Sequence, residues 1–141
     1  MIIKRGSASG KSTLCENIIK ELKGESSSFT VISLDSYYKS LAHIDLAKDY
    51  NFDHPSALDW ELAYDNICSL LKRKVTEVPI YSFVTHTRQQ ETETKHPADI
   101  ILVEGILALY DERVRNKLNY KIFVHCDDDV RLCRRIIRDV E

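Results

Sequence analysis

Gly6, Ser7, Ala8, Ser9, Gly10, Lys11, Ser12 and Thr13 run directly into an amphipathic stretch. Small residues ahead of a helix leave backbone N–H groups free to wrap an anion, and a lysine just behind them reaches its outer oxygens. Such a segment can hold a phosphate. Two acids sit where strand-like runs end: Asp35 follows Thr30-Val-Ile-Ser-Leu34, and Glu104 follows Asp99-Ile-Ile-Leu-Val103. Beside a held phosphate, a carboxylate can accept a proton from an attacking hydroxyl or help to orient a hard cation. Asp53 could accept from two neighbouring hydroxyls at once. Tyr81, Phe83 and His86 combine ring faces for stacking with a phenol and an imidazole for hydrogen bonding. Arg131, Arg135 and Arg138 fall at i, i+4 and i+7 of one helical face with Arg134 beside them, and guanidinium forks suit phosphates and hydroxyls. Each group taken singly has an ordinary alternative: a turn before a helix, a strand-end acid, packing aromatics, a solvated charged face.

The elements that must position these groups follow from periodicity. Leu14, Ile18 and Leu22 recur every four residues with Cys15 and Ile19 beside them, and Gly24 follows as a C-terminal cap, which predicts a helix after Gly10. A short strand, Met1 to Lys4, precedes the loop, and Thr30 to Leu34 reads as a second strand ending at Asp35. Asp59 is the expected N-cap of another helix, with Leu62, Ala63, Ile67, Leu70 and Leu71 on one side and Lys72, Arg73 and Lys74 at its end. Val78 to Thr94 carries Tyr, Phe, Val and Thr with near-alternating polarity, the pattern of a β-hairpin or an extended excursion. Asp99 to Glu104 and Lys121 to His125 are nearly continuous apolar runs, as in strands covered by helices on both faces. Asp127, Asp128 and Asp129 open a last helix through Arg138. The alternation is that of an α/β domain, whose parallel sheet takes ligands at the C-terminal ends of its strands.

With 141 residues, 43% of them apolar, there is material for one domain, residues 1–141, and not for two. Twenty basic against twenty-two acidic residues leave a net charge of −2, which offers no general attraction to nucleic acid or to a membrane surface. Apolar runs such as Ile100 to Val103 are far too short to span a bilayer, and the first residues do not read as a secretory signal. Cys15, Cys68, Cys126 and Cys133 form no C-x-x-C pair, so neither a zinc site nor a disulfide framework is expected, and a cytoplasmic location fits. The sequence stops at Glu141 inside a helical pattern, which reads as a cut-off chain.

The loop resembles the P-loop pattern G-x-x-x-x-G-K-[ST], except that Arg5 stands where the first glycine is expected, with Gly6 next to it. Four further segments, Asp35-Ser-Tyr-Tyr-Lys39, Tyr50-Asn-Phe-Asp-His-Pro55, Tyr81-Ser-Phe-Val-Thr-His-Thr-Arg88 and Val103-Glu-Gly-Ile-Leu107, follow in order. With Arg134-Arg-Ile-Ile-Arg-Asp139 they make the whole chain similar to the uridine kinase (uridine-cytidine kinase) family of P-loop nucleoside kinases. The resemblance implies a three-layer P-loop NTPase-type parallel sheet flanked by helices, with a β-hairpin insertion, incomplete at both ends and lacking the family's lid and last strand. It implies phosphoryl transfer from ATP, with Mg²⁺, to the 5′-hydroxyl of uridine or cytidine.

In that reading residues 6–13, with Lys11 at the outer phosphates, bind ATP, joined by Arg138. Ser12 and Glu104 serve the metal. Asp35 is the general base, Asp53 and Arg135 hold the ribose hydroxyls, and Tyr81 and His86 read the base. Phe52, Phe83 and Ile106 supply apolar walls, and Tyr38 flanks the acceptor site; Arg131 and Arg134 are left as a solvated face. Ser82 and His125 stand where the family commonly has acids. The expected partners are a nucleoside and a nucleoside triphosphate, not nucleic acid or membrane, and the resemblance implies a homotetramer. Two alternatives stay open: a catalytically impaired nucleotide-binding fragment or partner subunit, and a related kinase acting on another ribosyl or pantoyl alcohol.

Overall fold

The computed structural model describes residues 2–4, 11–22, 27–41, 49–124, 127, 129–130, 132–133 and 136–137, with backbone alone for 2–4, 11–13 and 22. Along the chain the elements are β1 (Ile2–Lys4), α1 (Lys11–Leu22), β2 (Phe29–Ser33), α2 (Trp60–Leu71), β3 (Thr76–Ser82), β4 (Thr87–Lys95), β5 (Ile100–Gly105), α3 (Glu112–Lys117) and β6 (Lys121–Phe123). The four strands β2, β5, β1 and β6 lie side by side in that order, and every pairing is parallel. The strands β3 and β4 form a separate antiparallel hairpin with a register shift between Pro79 and Tyr81.

β5 explains the layering. Its side chains alternate between the two faces of the sheet, so Ile101 and Val103 join one apolar cluster and Leu102 another. The first cluster packs Ile32 and Leu34 against Ala63, Ile67 and Leu70 of α2, Val114 of α3 and Val78 of the hairpin. The second packs Leu102 and Val31 against Leu14, Cys15 and Ile18, the stripe expected for α1. With helices over both faces, a strand of continuous Ile, Leu and Val is what the middle of the sheet requires. At the far edge of the sheet, Ser28 Oγ donates to Asp99 Oδ2 at 2.7 Å and the Asp99 N–H donates back to Ser28 Oγ at 2.9 Å, which sets the β2–β5 register.

Asp59 caps α2 as expected, its Oδ1 accepting from the Leu62 N–H at 3.2 Å. Three expectations need correction. β2 ends at Ser33, because Leu34 turns into a 3-10 helix, Leu34–Tyr37, where its side chain is buried. Leu71 is 43% exposed and does not share the buried side of α2; the buried Asn66 does. The short helix α3 is additional; Asp111 caps it by accepting from the Arg113 and Val114 N–H groups. After β6, positions 129–130, 132–133 and 136–137 are helical, as the Asp127–Arg138 reading expects. Gly24, His125, Cys126, Arg131 and Arg134 lie outside the described residues. Among the described residues no helix is long and apolar enough to cross a membrane.

Gly105 ends β5 against the turn that leaves β2. A Cβ added there would lie 2.8 Å from Leu34 Cβ, so the two strand ends approach this closely only with glycine. Gly105→Ala should therefore lower stability by about 1–3 kcal/mol, the usual cost of overpacking, read as a lower urea midpoint at unchanged slope.

Candidate functional site

Strand register gathers the first half of the site. Ser33, at the end of β2, is the Cα partner of Glu104, and Glu104 also pairs with Ile3 of β1. Asp35 sits in the 3-10 turn just beyond Ser33 and is half-buried, while Glu104 is 8% exposed. Lys4 closes β1 at the same edge beside Gly105, and Lys11 opens α1 after the glycine-rich segment. The two acids and the strand that leads into the loop therefore share the C-terminal edge of the sheet, where open α/β sheets bind ligands.

The second half is a group of rings contributed by three segments. Tyr38 lies 5.8 Å from Phe52, 5.4 Å from Tyr81 and 5.9 Å from Phe83 between ring centroids. Tyr81 and Phe83 meet edge to face at 5.1 Å, Tyr50 and Phe52 at 4.9 Å, and the His86 ring stacks on Phe52 at 4.9 Å. His86 has φ of 53°, the left-handed conformation that side chains other than glycine adopt only when held there. The hold is visible: its carbonyl accepts from the Leu41 N–H at 3.0 Å. Two polar atoms of this group, Tyr81 Oη and His86 Nδ1, are buried and find no hydrogen-bond partner among the described residues. Leaving such an atom unsatisfied costs about 1–3 kcal/mol, so each calls for a partner from water or from a bound molecule.

Electrostatics joins the two halves. The Tyr38 hydroxyl is pushed well above the ordinary phenol range, first by burial and then by the neighbouring acidic groups of Asp35, Asp53, Tyr81 and Tyr50. Tyr38 thus keeps its proton and remains a hydroxyl with a hydrogen to donate. Burial, then Tyr50, also raises Tyr81. Asp53 is exposed, and its N–H donates to Asn51 Oδ1 at 3.0 Å, which holds the turn it stands on.

Two side chains brace this arrangement from behind. Arg88 Nε donates to the Tyr38 carbonyl at 2.9 Å, Nη2 to the Tyr37 carbonyl at 3.0 Å and Nη1 to Asp59 Oδ2 at 3.1 Å. Asn66, on α2, donates to Tyr37 Oη and to the Glu77 carbonyl, both at 3.1 Å, and accepts from Thr76 Oγ1 at 2.8 Å. Burial pushes Tyr37 up to about 12, against the opposing pull of the Asn66 hydrogen bond and the Arg88 charge.

A family model for the phosphoribulokinase / uridine kinase family matches residues 2–141. The chain belongs to that family. Uridine-cytidine kinase A of Dictyostelium discoideum is 44% identical over 96% of this chain and 27% of its own length. Uridine-cytidine kinase B of the same organism is 43% identical over 96% of this chain and 56% of its own length. Uridine-cytidine kinase 2-B of Danio rerio is 40% identical over 98% of this chain and 56% of its own length. The chain thus spans little more than half, or less, of the curated relatives it matches. Among solved structures, a possible uridine kinase from Bacillus stearothermophilus superposes with TM-score 0.66 at 20% identity, over 97% of this chain and 76% of that one. Phosphoribulokinase from Rhodobacter spheroides superposes with TM-score 0.73 at 13% identity, over 99% of this chain and 56% of that one. These likenesses bear out the P-loop kinase fold.

Against the residues that the resemblance singled out, Tyr38, Phe52, Tyr81, Phe83 and His86 lie in one group, with Asp35 and Asp53 acting on Tyr38. Glu104 is at the neighbouring strand end, and Ile106 follows Gly105 in the turn there. Gly6, Ser7, Ala8, Ser9, Gly10, Arg135 and Arg138 lie outside the described residues; Lys11, Ser12 and Thr13 begin α1. Sequence reasoning left Arg88 and Asn66 without a role. Arg88 was signalled only as the last residue of its family segment, and Asn66 by nothing more than a polar residue on an apolar helix side. A separate cleft of about 410 Å³ opens at the opposite edge, among Leu70, Arg73, Asp99, Lys117 and Tyr120, and no family segment lines it.

Proposed function

We propose that this chain, as a single domain over residues 1–141, transfers the γ-phosphoryl group of ATP to the 5′-hydroxyl of uridine or cytidine. The observation that carries the reading is the ring group with two buried, unpartnered polar atoms, Tyr81 Oη and His86 Nδ1, set beside two carboxylates. A pyrimidine offers a flat face for Phe52 and Phe83, with Ile106 as a further wall, and a hydrogen-bonding edge for Tyr81 and His86. Its ribose would give vicinal hydroxyls to Asp53 and Arg135, and its 5′-hydroxyl to Asp35, with Tyr38 alongside. The P-loop amides of residues 6–13, Lys11 and Arg138 would hold the triphosphate.

Mg²⁺ fits the residues present. One buried carboxyl, Glu104, stands at the strand end beside β1, a hard oxygen donor of the kind Mg²⁺ takes. Ser12 and Glu104 would be the protein's share in holding the ion. When bound, the ion neutralises charge on the β- and γ-phosphates. Asp35 receives the proton of the attacking hydroxyl, and the P-loop holds the donor in line with it. The reading places the protein in the cytoplasm, with nucleoside and nucleotide as its partners.

Tyr81→Phe tests this directly, because the hydroxyl it removes has no partner to lose. Melting temperature should stay level or rise, while the dissociation constant for uridine should rise about tenfold, the loss of one hydrogen bond. A variant that loses stability and keeps uridine affinity contradicts base reading by Tyr81.

A further inference from the structure

Among the described residues the hairpin β3–β4 shares no strand pairing with the main sheet, and two strands alone are marginally stable. Its ties to the rest of the molecule therefore decide where Tyr81 and His86 stand relative to Asp35. Besides the core packing of Val78 and the Asn66 bonds to Thr76 and Glu77, Arg88 ties the hairpin to the turn that carries Asp35. It is the ladder partner of Tyr81, follows His86 closely along the chain, and reaches out of β4 to the turn that carries Asp35.

All three of its side-chain nitrogens are engaged by protein acceptors, the Tyr37 and Tyr38 carbonyls and Asp59 Oδ2, and its backbone N–H donates to Ser40 Oγ at 2.9 Å. Asp59 is bound in turn to the same turn, its N–H donating to the Tyr37 carbonyl at 2.9 Å, while its other oxygen caps α2. One guanidinium thus cross-braces the hairpin, the Asp35 turn and the start of α2. We propose that Arg88 is a positioning residue for nucleoside phosphorylation: its fork fixes the separation between the base-reading side chains on the hairpin and the carboxylate of Asp35. The proposal rests on the nucleoside-kinase reading, and it goes beyond that reading by assigning the geometry to a residue that touches no substrate. Lysine cannot replace it, since a single ammonium has no planar fork to meet two carbonyls and a carboxylate together.

Arg88→Lys and Asp59→Asn are the informative variants, the second because asparagine still caps a helix but no longer pairs with the guanidinium. Arg113→Ala is the control; its side chain pairs with Glu61 and Asp111 on the surface. For both test variants, uridine KM should rise about tenfold and kcat should fall about tenfold or more, as misplacement by a fraction of an ångström does. ATP KM should stay within about twofold, because the P-loop is anchored on β1 and α1. Hydrogen exchange at the Lys39, Leu41 and Asp59 amides should accelerate about tenfold or more in Arg88→Lys, and Arg113→Ala should move none of these. Unchanged uridine constants, or uridine and ATP constants drifting together with lost stability, overturn the proposal. A wild-type chain that phosphorylates no nucleoside contradicts the functional reading instead; amide exchange then decides the brace by itself, and unchanged protection in Arg88→Lys overturns it.

Discussion

Asp35→Asn should lower phosphoryl transfer to uridine by about 10²–10⁴-fold while uridine still binds with near wild-type affinity. The carboxylate stands on the 3-10 turn that leaves β2, beside the buried Tyr38 and at the edge where Glu104 ends its run. Asparagine keeps the size and one acceptor oxygen, so the hydroxyl can still be held. It has no basicity, so the proton released on attack has no local destination. The loss therefore falls on kcat, with the nucleoside dissociation constant, measured by calorimetry, almost unmoved. Turnover within about tenfold of wild type would remove Asp35 from proton acceptance.

Glu104→Gln should lower kcat by about 10²-fold or more and raise the Mg²⁺ concentration needed for half-maximal rate. Glutamine matches the shape of a residue packed in the central strand, so the folded state should persist, as circular dichroism would check. What changes is charge: the strand end loses the anion that would hold the water shell of a phosphate-bound cation. Titration of activity against Mg²⁺ separates this from a simple folding loss, since a misfolded fraction lowers the plateau without shifting the midpoint. An unshifted midpoint with full activity would leave Glu104 outside the metal's surroundings.

Much of the architecture was legible because burial on both faces writes itself as continuous apolar runs, and β5 is such a run. The amphipathic stripe of α1 and the Asp59 cap of α2 were readable for the same kind of reason. Boundaries failed where an apolar residue is buried by a turn instead of a strand, as Leu34 is. α3 left only Val114 and Leu118 as an apolar signal, too little periodicity over six residues. In the site, Tyr38, Tyr81 and His86 were legible through the order of the family segments. That Tyr81 Oη and His86 Nδ1 are buried without partners was not, because satisfaction of a polar atom is a property of three-dimensional packing. Arg88 was opaque for a related reason: a guanidinium that donates to backbone carbonyls selects no particular side chains and leaves no pattern along the sequence.

The most direct measurement is transfer of labelled γ-phosphate from ATP to uridine by this chain. The expected result is labelled uridine 5′-monophosphate, formed only when Mg²⁺ and nucleoside are both present and lost in Asp35→Asn. Binding of ATP and uridine with no label reaching the nucleoside would contradict the proposed reaction.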